Sequence, residues 1–239
     1  MTAARFERLL AVQDHDTAAD RLRHRRETLP ERADLAALTE RAGDLRTRIT
    51  DAEARLASAT GTQTHLEDEL AHTETRIAEI NKRMYGGEVS ASRDLQAMAA
   101  EVESLEHRKA QLEERVLEAM EAREPIDAEV AGLRGEAGTM AAEARRLQQA
   151  IADAEAEIDA ELGEEEAKRS AEAVGVPGDL IKTYEQIRTK LGGIGAARLE
   201  HGSCTGCHLT LSAMELEHLR HEAEDTVIHC EQCGRILVR

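Results

Sequence analysis

The sequence predicts a mainly α protein: a long antiparallel coiled-coil hairpin, then a small C-terminal β module that holds every cysteine. Three observations lead to this reading. Two apolar stripes with a strict 3.5-residue period flank a reversal at Asn81–Asp94. Only Phe6, Tyr85 and Tyr184 are aromatic. The four cysteines form two Cys-x-x-Cys pairs within the last 36 residues.

Before the reversal, Leu35, Leu38, Ala42, Leu45, Ile49, Ala52 and Leu56 open a run of alternating three- and four-residue steps that reaches Ile80 and Met84. Gln63 and Thr73 are its polar members. After the reversal a second run extends from Leu95 and Met98 to Ile151 and Ile158, interrupted by Lys109 and Arg123. A period this strict over many heptads makes a coiled-coil seam, narrower than the apolar face of a globular helix. At about 1.5 Å per residue, such helices run roughly 75 to 110 Å.

Gly86-Gly87 lies between the stripes, where positive φ is available without a Cβ penalty. Ser90 and Ser92 are candidate N-caps for the second helix, and Asp94 suits its dipole. One continuous helix dimerising in parallel through the glycines is the alternative. It is disfavoured because each glycine costs a helix interior about 1 kcal/mol.

Residues 1–176 are assigned to the hairpin, with an N-terminal helix over 1–29 and long helices over about 31–84 and 92–170. Phe6, Leu9, Leu10, Val12, Leu22 and Leu29 give the first helix a loosely spaced apolar face. Pro30 ends it, and Thr28 is a candidate cap for the helix that follows. The second long helix outruns the first, so the N-terminal helix is expected to cover its residues from roughly 147 to 170. Pro125 is expected to bend that helix, with Gly132, Gly135 and Gly138 weakening it one turn later. Residues 177–239 hold a short helix, with Asp179 as candidate cap and Leu180, Ile181, Tyr184, Ile187 and Leu191 on its apolar face, followed by the cysteine module.

In that module Cys204-Thr205-Gly206-Cys207 and Cys230-Glu231-Gln232-Cys233-Gly234 are separated by 22 residues. Two such pairs are the pattern of one tetrahedral zinc ion held by four thiolates. Each pair makes a tight knuckle, with Gly206 and Gly234 relieving the backbone. Strands are expected at Ala197–Glu200, Thr226–His229 and Arg235–Val238. A segment of this size without aromatics does not bury enough surface to fold alone, and zinc binding of about 10–16 kcal/mol supplies the difference. Four thiolates leave no position for water, so the ion is structural. A redox dithiol or an iron–sulfur centre are the alternatives. His201, His208 and His229 stand beside the cysteines but are read as surface residues, since four thiolates complete the shell.

The cysteine pattern with its Cys-Gly-Arg-Ile-Leu ending at Cys233–Leu237 resembles the bacterial C4-type zinc-ribbon family, whose members carry a coiled-coil hairpin. Met84-Tyr85-Gly86-Gly87-Glu88-Val89 resembles that family's Leu-Tyr-Gly-Gly-x-Val turn, and Leu29-Pro30 and Tyr184 fit as well. Two departures stand out: Met84 replaces the usual Leu, and Ser90–Leu95 lacks the proline common at that turn. The resemblance implies a hairpin with a zinc ribbon at its base. It also implies a non-enzymatic role, described in the family as nucleic-acid binding and as chaperone or adaptor activity.

Composition narrows the classes further. No run of about 18 apolar residues and no signal-peptide core is present, so a soluble cytoplasmic protein without a membrane partner is expected. No phosphate loop, nucleophile elbow or isolated carboxylate pair speaks for an enzyme. Lys82, Arg83 and Tyr85 at the turn are candidates for binding a protein partner. The net charge of −17 opposes indiscriminate nucleic-acid binding. Arg21, Arg23, Arg25, Arg26, Lys182, Arg188, Lys190 and Arg198 nevertheless form a candidate basic patch at the hairpin base. The alternative for these arginines is pairing with the acidic second helix. A monomer or weak homodimer is expected.

Overall fold

The computed structural model describes residues 3–87 and 91–239. The expected cap Ser90, with Glu88 and Val89 of the turn motif, lies outside them. Five helices and three short strands follow one another: α1 Ala3–Glu27, α2 Pro30–Tyr85, α3 Ser92–Ala173, α4 Gly178–Lys190, β1 Ala196–Glu200, β2 Ser203–Cys204, α5 Ala213–His221 and β3 Ile236–Val238. They form two compact units, one of residues 35–146 and the other of residues 1–34 with 147–239.

In the unit of residues 35–146, α2 and α3 run antiparallel. The order of their cross-helix ion pairs fixes this: Arg76–Glu101 (3.0 Å), Lys109–Glu74 (2.8 Å), Arg55–Glu129 (2.7 Å) and Arg134–Glu53 (2.6 Å). Exposed pairs of this kind contribute about 1 kcal/mol or less each, so they set register more than stability. The seam itself does the burying, as the heptads require. Leu45, Ala52, Val130 and Leu133 form a core, with Ile49, Leu56, Ala137 and Met140 packed on it. The polar seam members bond locally: Thr73 Oγ1 donates to the Glu69 carbonyl and Gln63 Nε2 to Glu67 Oε1, while Gln63 Oε1 is buried without a hydrogen-bond partner among the described residues. Lys109 and Arg123 turn to Glu74 and Asp127.

At the reversal Gly87 takes φ of 79°. Gly86 is needed for a different reason, because a Cβ there would stand 2.6 Å from the Lys82 carbonyl oxygen that its own N–H bonds. The helix start differs from expectation: Ser92 is already helical, and the Ala91 carbonyl accepts from the amides of Asp94 and Leu95. α3 continues as one α-helix through Pro125.

In the other unit α1 lies along the far part of α3, as the overhang predicted. His15 meets Glu165 (2.7 Å), Arg23 meets Glu166 (2.7 Å) and Arg26 meets Asp159 (3.0 Å). Phe6, Leu9, Leu10 and Val12 of α1 share one core with Val176, Leu180 and Tyr184, and with Ala196, Ile236 and Val238 of the sheet. Two expected caps are corrected. Thr28 Oγ1 donates back to the His24 carbonyl, closing α1 and not opening α2. α4 starts after Pro177 without a side-chain cap, and Asp179 sits in its first turn.

The sheet has order β2-β1-β3, with β1 antiparallel to β2 and parallel to β3. Thr226–His229 is not a strand. It makes a single bridge, His229 to Ile236, on the edge of β3 away from β1, where the Leu237 amide donates to the Ile228 carbonyl at 2.8 Å. The chain between the cysteine pairs forms α5, whose start is a capping box in which Ser212 and Glu215 bond each other's backbone amides.

Candidate metal centre

The sequence places each cysteine pair on a tight turn, one leaving β2 and the other entering β3. The two turns are built alike. The His208 amide donates to the Cys204 carbonyl and the Gly234 amide to the Cys230 carbonyl, both at 2.7 Å. Amides inside each turn also point at sulfur: those of Gly206 and Cys207 at Cys204, those of Gln232 and Cys233 at Cys230. The residue after each second cysteine is left-handed, with φ of 76° at Gly234 and 62° at His208. Gly206 has no such φ; a Cβ on it would press within 2.9 Å of Arg235 Cδ and Ala197 Cβ.

These turns bring the Sγ atoms of Cys204, Cys207, Cys230 and Cys233 within 4.8 Å of one another, with Cys204 and Cys230 buried. No disulfide links them. Among the described residues no histidine joins the cluster. His201 and His208 are exposed, and His229 directs Nδ1 to the Gly234 carbonyl at 3.3 Å.

The electrostatics show why the set suits a dication. Burial pushes Cys204 up, and pushes Cys230 up to about 12. Burial acts the same way on Cys233, but hydrogen bonds from Arg235, Cys230 and Cys207 outweigh it and bring that thiol down to about 7. Four thiolates at this spacing form only around a cation that takes up their charge. Soft sulfur donors in a closed set of four fit one zinc ion in a structural role.

The matches with known proteins follow these elements. Residues 12–192 match the CT398-like coiled coil hairpin domain. The chain belongs to that family. Residues 203–237 match the C4-type zinc ribbon domain, which contains all four cysteines. The chain is 28% identical to the uncharacterized Mycobacterium tuberculosis protein Rv2229c over 97% of its own length and 94% of that protein's. A solved structure from Mycobacterium smegmatis superposes with a TM-score of 0.86 at 26% identity, covering the whole of both chains. CT398 of Chlamydia trachomatis shares the fold, with a TM-score of 0.64 at 18% identity over 98% of this chain and 96% of that one.

The other candidate residues of this CT398-like chain scatter. Lys82, Arg83 and Tyr85 sit together at the end of α2; Tyr85 is 83% exposed and does not cover the last seam layer. The basic residues of α1 and α4 do approach each other, yet over carboxylates. Arg23 (2.9 Å) and Arg188 both bind Asp20. Arg25 faces Glu161 at 3.8 Å, and Arg198 grips Glu7 with both terminal nitrogens, at 2.9 and 2.5 Å. Among the described residues only Arg21, Lys182 and Lys190 of that set make no ion pair.

Two residues that matter to this unit went unread in the sequence. Gln13, 5% exposed, accepts the Gly195 amide at 2.6 Å and donates to the Gly193 carbonyl at 3.0 Å, anchoring the strand that leads to the ligands. Asp16, 9% exposed, accepts from the Tyr184 hydroxyl at 2.7 Å and from Arg169 Nε at 3.3 Å. Both are polar residues on the buried face of α1.

Proposed function

We propose that the chain is a non-enzymatic zinc-bearing adaptor or chaperone-like protein that engages protein partners through its hairpin and ribbon. The observation that carries this is Tyr85, largely exposed beside the exposed cations Lys82 and Arg83 at the end of α2. An aromatic ring flanked by cations is a common anchor for protein surfaces. The zinc set, closed by four thiolates, supports holding a shape over transforming a substrate. No helix among the described residues is long and apolar enough to cross a membrane. Affinity capture with the full-length zinc-loaded chain, against Tyr85→Ala and Arg83→Ala variants, tests the reading. A specific protein captured by the wild type and lost by both variants supports it, and retention of every partner by both removes the tip.

Nucleic-acid binding through the basic patch is the second reading, favoured by the unpaired Arg21, Lys182 and Lys190. Against it, Arg23, Arg25, Arg26, Arg188 and Arg198 already hold carboxylates. Capture repeated after nuclease treatment, with an anisotropy titration at low salt, separates the two. A flat titration and nuclease-insensitive capture leave the adaptor reading alone.

A further inference from the structure

The two flanks of the hairpin carry different surfaces. Residues one place after a seam position share one flank, where Glu53 meets Arg134; residues one place before share the other, where Arg55 meets Glu129. The second flank is dense in charge, with Arg41, Asp44, Arg48, Asp51 and Arg55 in succession on α2. The first carries Thr39, Gly43, Thr50, Ala57, Thr60 and Thr64.

Small side chains on that flank leave the seam uncovered. Ala42, a seam residue, is exposed. Around it opens an apolar groove of about 770 Å³ bounded by Leu45, Ile49 and Met140. On the same flank, roughly 20 residues along α3 and so about 30 Å away, Leu117 and Met120 stand 60% and 46% exposed. The Glu53–Arg134 pair closes the groove at the end nearer the knob. Charge divides in the same way. On this flank Glu124 stands beside the knob outside any ion pair among the described residues, while Arg46 and Arg145 stand unpaired at the groove end.

A groove and a matching knob on one face, with opposite charge at their ends, is a self-complementary surface. We propose that this flank receives a second copy of the chain, laid antiparallel about a twofold axis near Ala57 and Ala131, midway between groove and knob. Leu117 and Met120 of each copy enter the groove of the other, and Glu124 meets the cations Arg46 and Arg145 at the end of that groove. A basic amphipathic helix from another protein would satisfy Glu124 but not the cations at the groove. The twofold arrangement uses both ends twice.

Sedimentation velocity on the full-length zinc-loaded protein over a dilution series tests this. The chain is expected to associate as a dimer that dissociates on dilution. Gly43→Phe fills the groove from a position where an added side chain meets no neighbour, and Leu117→Glu spoils the knob. Each should weaken association at least about tenfold, with helicity no lower than wild type. Arg46→Glu and Glu124→Arg should each weaken the dimer, and the double reversal should restore it. A chain that stays monomeric throughout, a dimer indifferent to either Gly43→Phe or Leu117→Glu, or a double reversal without rescue overturns the proposal. None of these outcomes depends on whether another protein binds the tip.

Discussion

Gln13 in α1 holds the amide of Gly195, 182 positions further along the chain, with its side-chain oxygen 2.6 Å away. The same oxygen receives the Ala196 amide at 3.3 Å, and the Gln13 amide group reaches the Gly193 carbonyl. One side chain therefore serves three backbone groups of the loop between α4 and β1: the Gly193 carbonyl and the Gly195 and Ala196 amides. Gln13→Leu keeps the volume and removes these bonds. It should cost roughly 2–4 kcal/mol in chemical denaturation, because buried amides are left unpaired. Proteolysis near Gly192–Gly195 should quicken in the variant. Unchanged stability and cleavage would show that water replaces the side chain.

Zinc removal should split the protein into a folded and an unfolded part. A strong chelator, or Cys204→Ser with Cys230→Ser, is expected to abolish stoichiometric zinc in elemental analysis and to collapse the chemical-shift dispersion of the amides from β1 to β3. The helical signal of α2 and α3 should persist, since their seam does not depend on the ion. Collapse of helicity together with zinc loss would contradict this division.

His208 should be a site of backbone cost. It adopts φ of 62° at the position where the sister turn uses Gly234 at 76°. His208→Gly is expected to stabilise the zinc-bound ribbon by about 1 kcal/mol, and Gly234→Ala to destabilise it by a similar amount. Competition with a calibrated chelator reads both as shifts of about fivefold in zinc affinity, in opposite directions. Shifts of the same sign would refute the equivalence of the two turns.

Tyr184 gives the protein an alkaline limit. Burial raises its phenol well above the ordinary value of 10.0, and the hydrogen bond to Asp16 adds to the rise. The folded state therefore holds this proton more tightly than the unfolded state. That contribution is complete below pH 10 and is lost as pH climbs through the raised value. In a Tyr85→Phe background, where Tyr184 is the sole tyrosine, tyrosinate absorbance should appear only as the protein unfolds. Ionisation ahead of unfolding would show the hydroxyl to be accessible.

The sequence disclosed what repetition and spacing encode. A period of 3.5 residues named the seam positions Leu45, Ala52, Val130 and Leu133, and paired cysteines pointed to the turns that gather four sulfurs. It was silent where a residue's role depends on a distant partner. Gln13 and Asp16 look like breaks in an apolar helix face until Gly195 and Tyr184 arrive beside them. Thr226, Val227 and Ile228 have strand-forming side chains, yet of these only Ile228 bonds β3, through its carbonyl to the Leu237 amide, and the stretch stays irregular. α5 carries only the capping-box spacing of Ser212 and Glu215, since nine residues are too few to display a helical apolar period.

The shared core of Phe6, Leu9, Ile236 and Val238 bears on synthesis at the ribosome. Residues 35–146 can zip together from neighbouring turns while translation continues. Their host unit must wait for residue 238, since its earliest and latest made segments complete each other. Until then α1 carries bare apolar surface, and a nascent chain stalled before β3 is a natural client for the cell's holding factors.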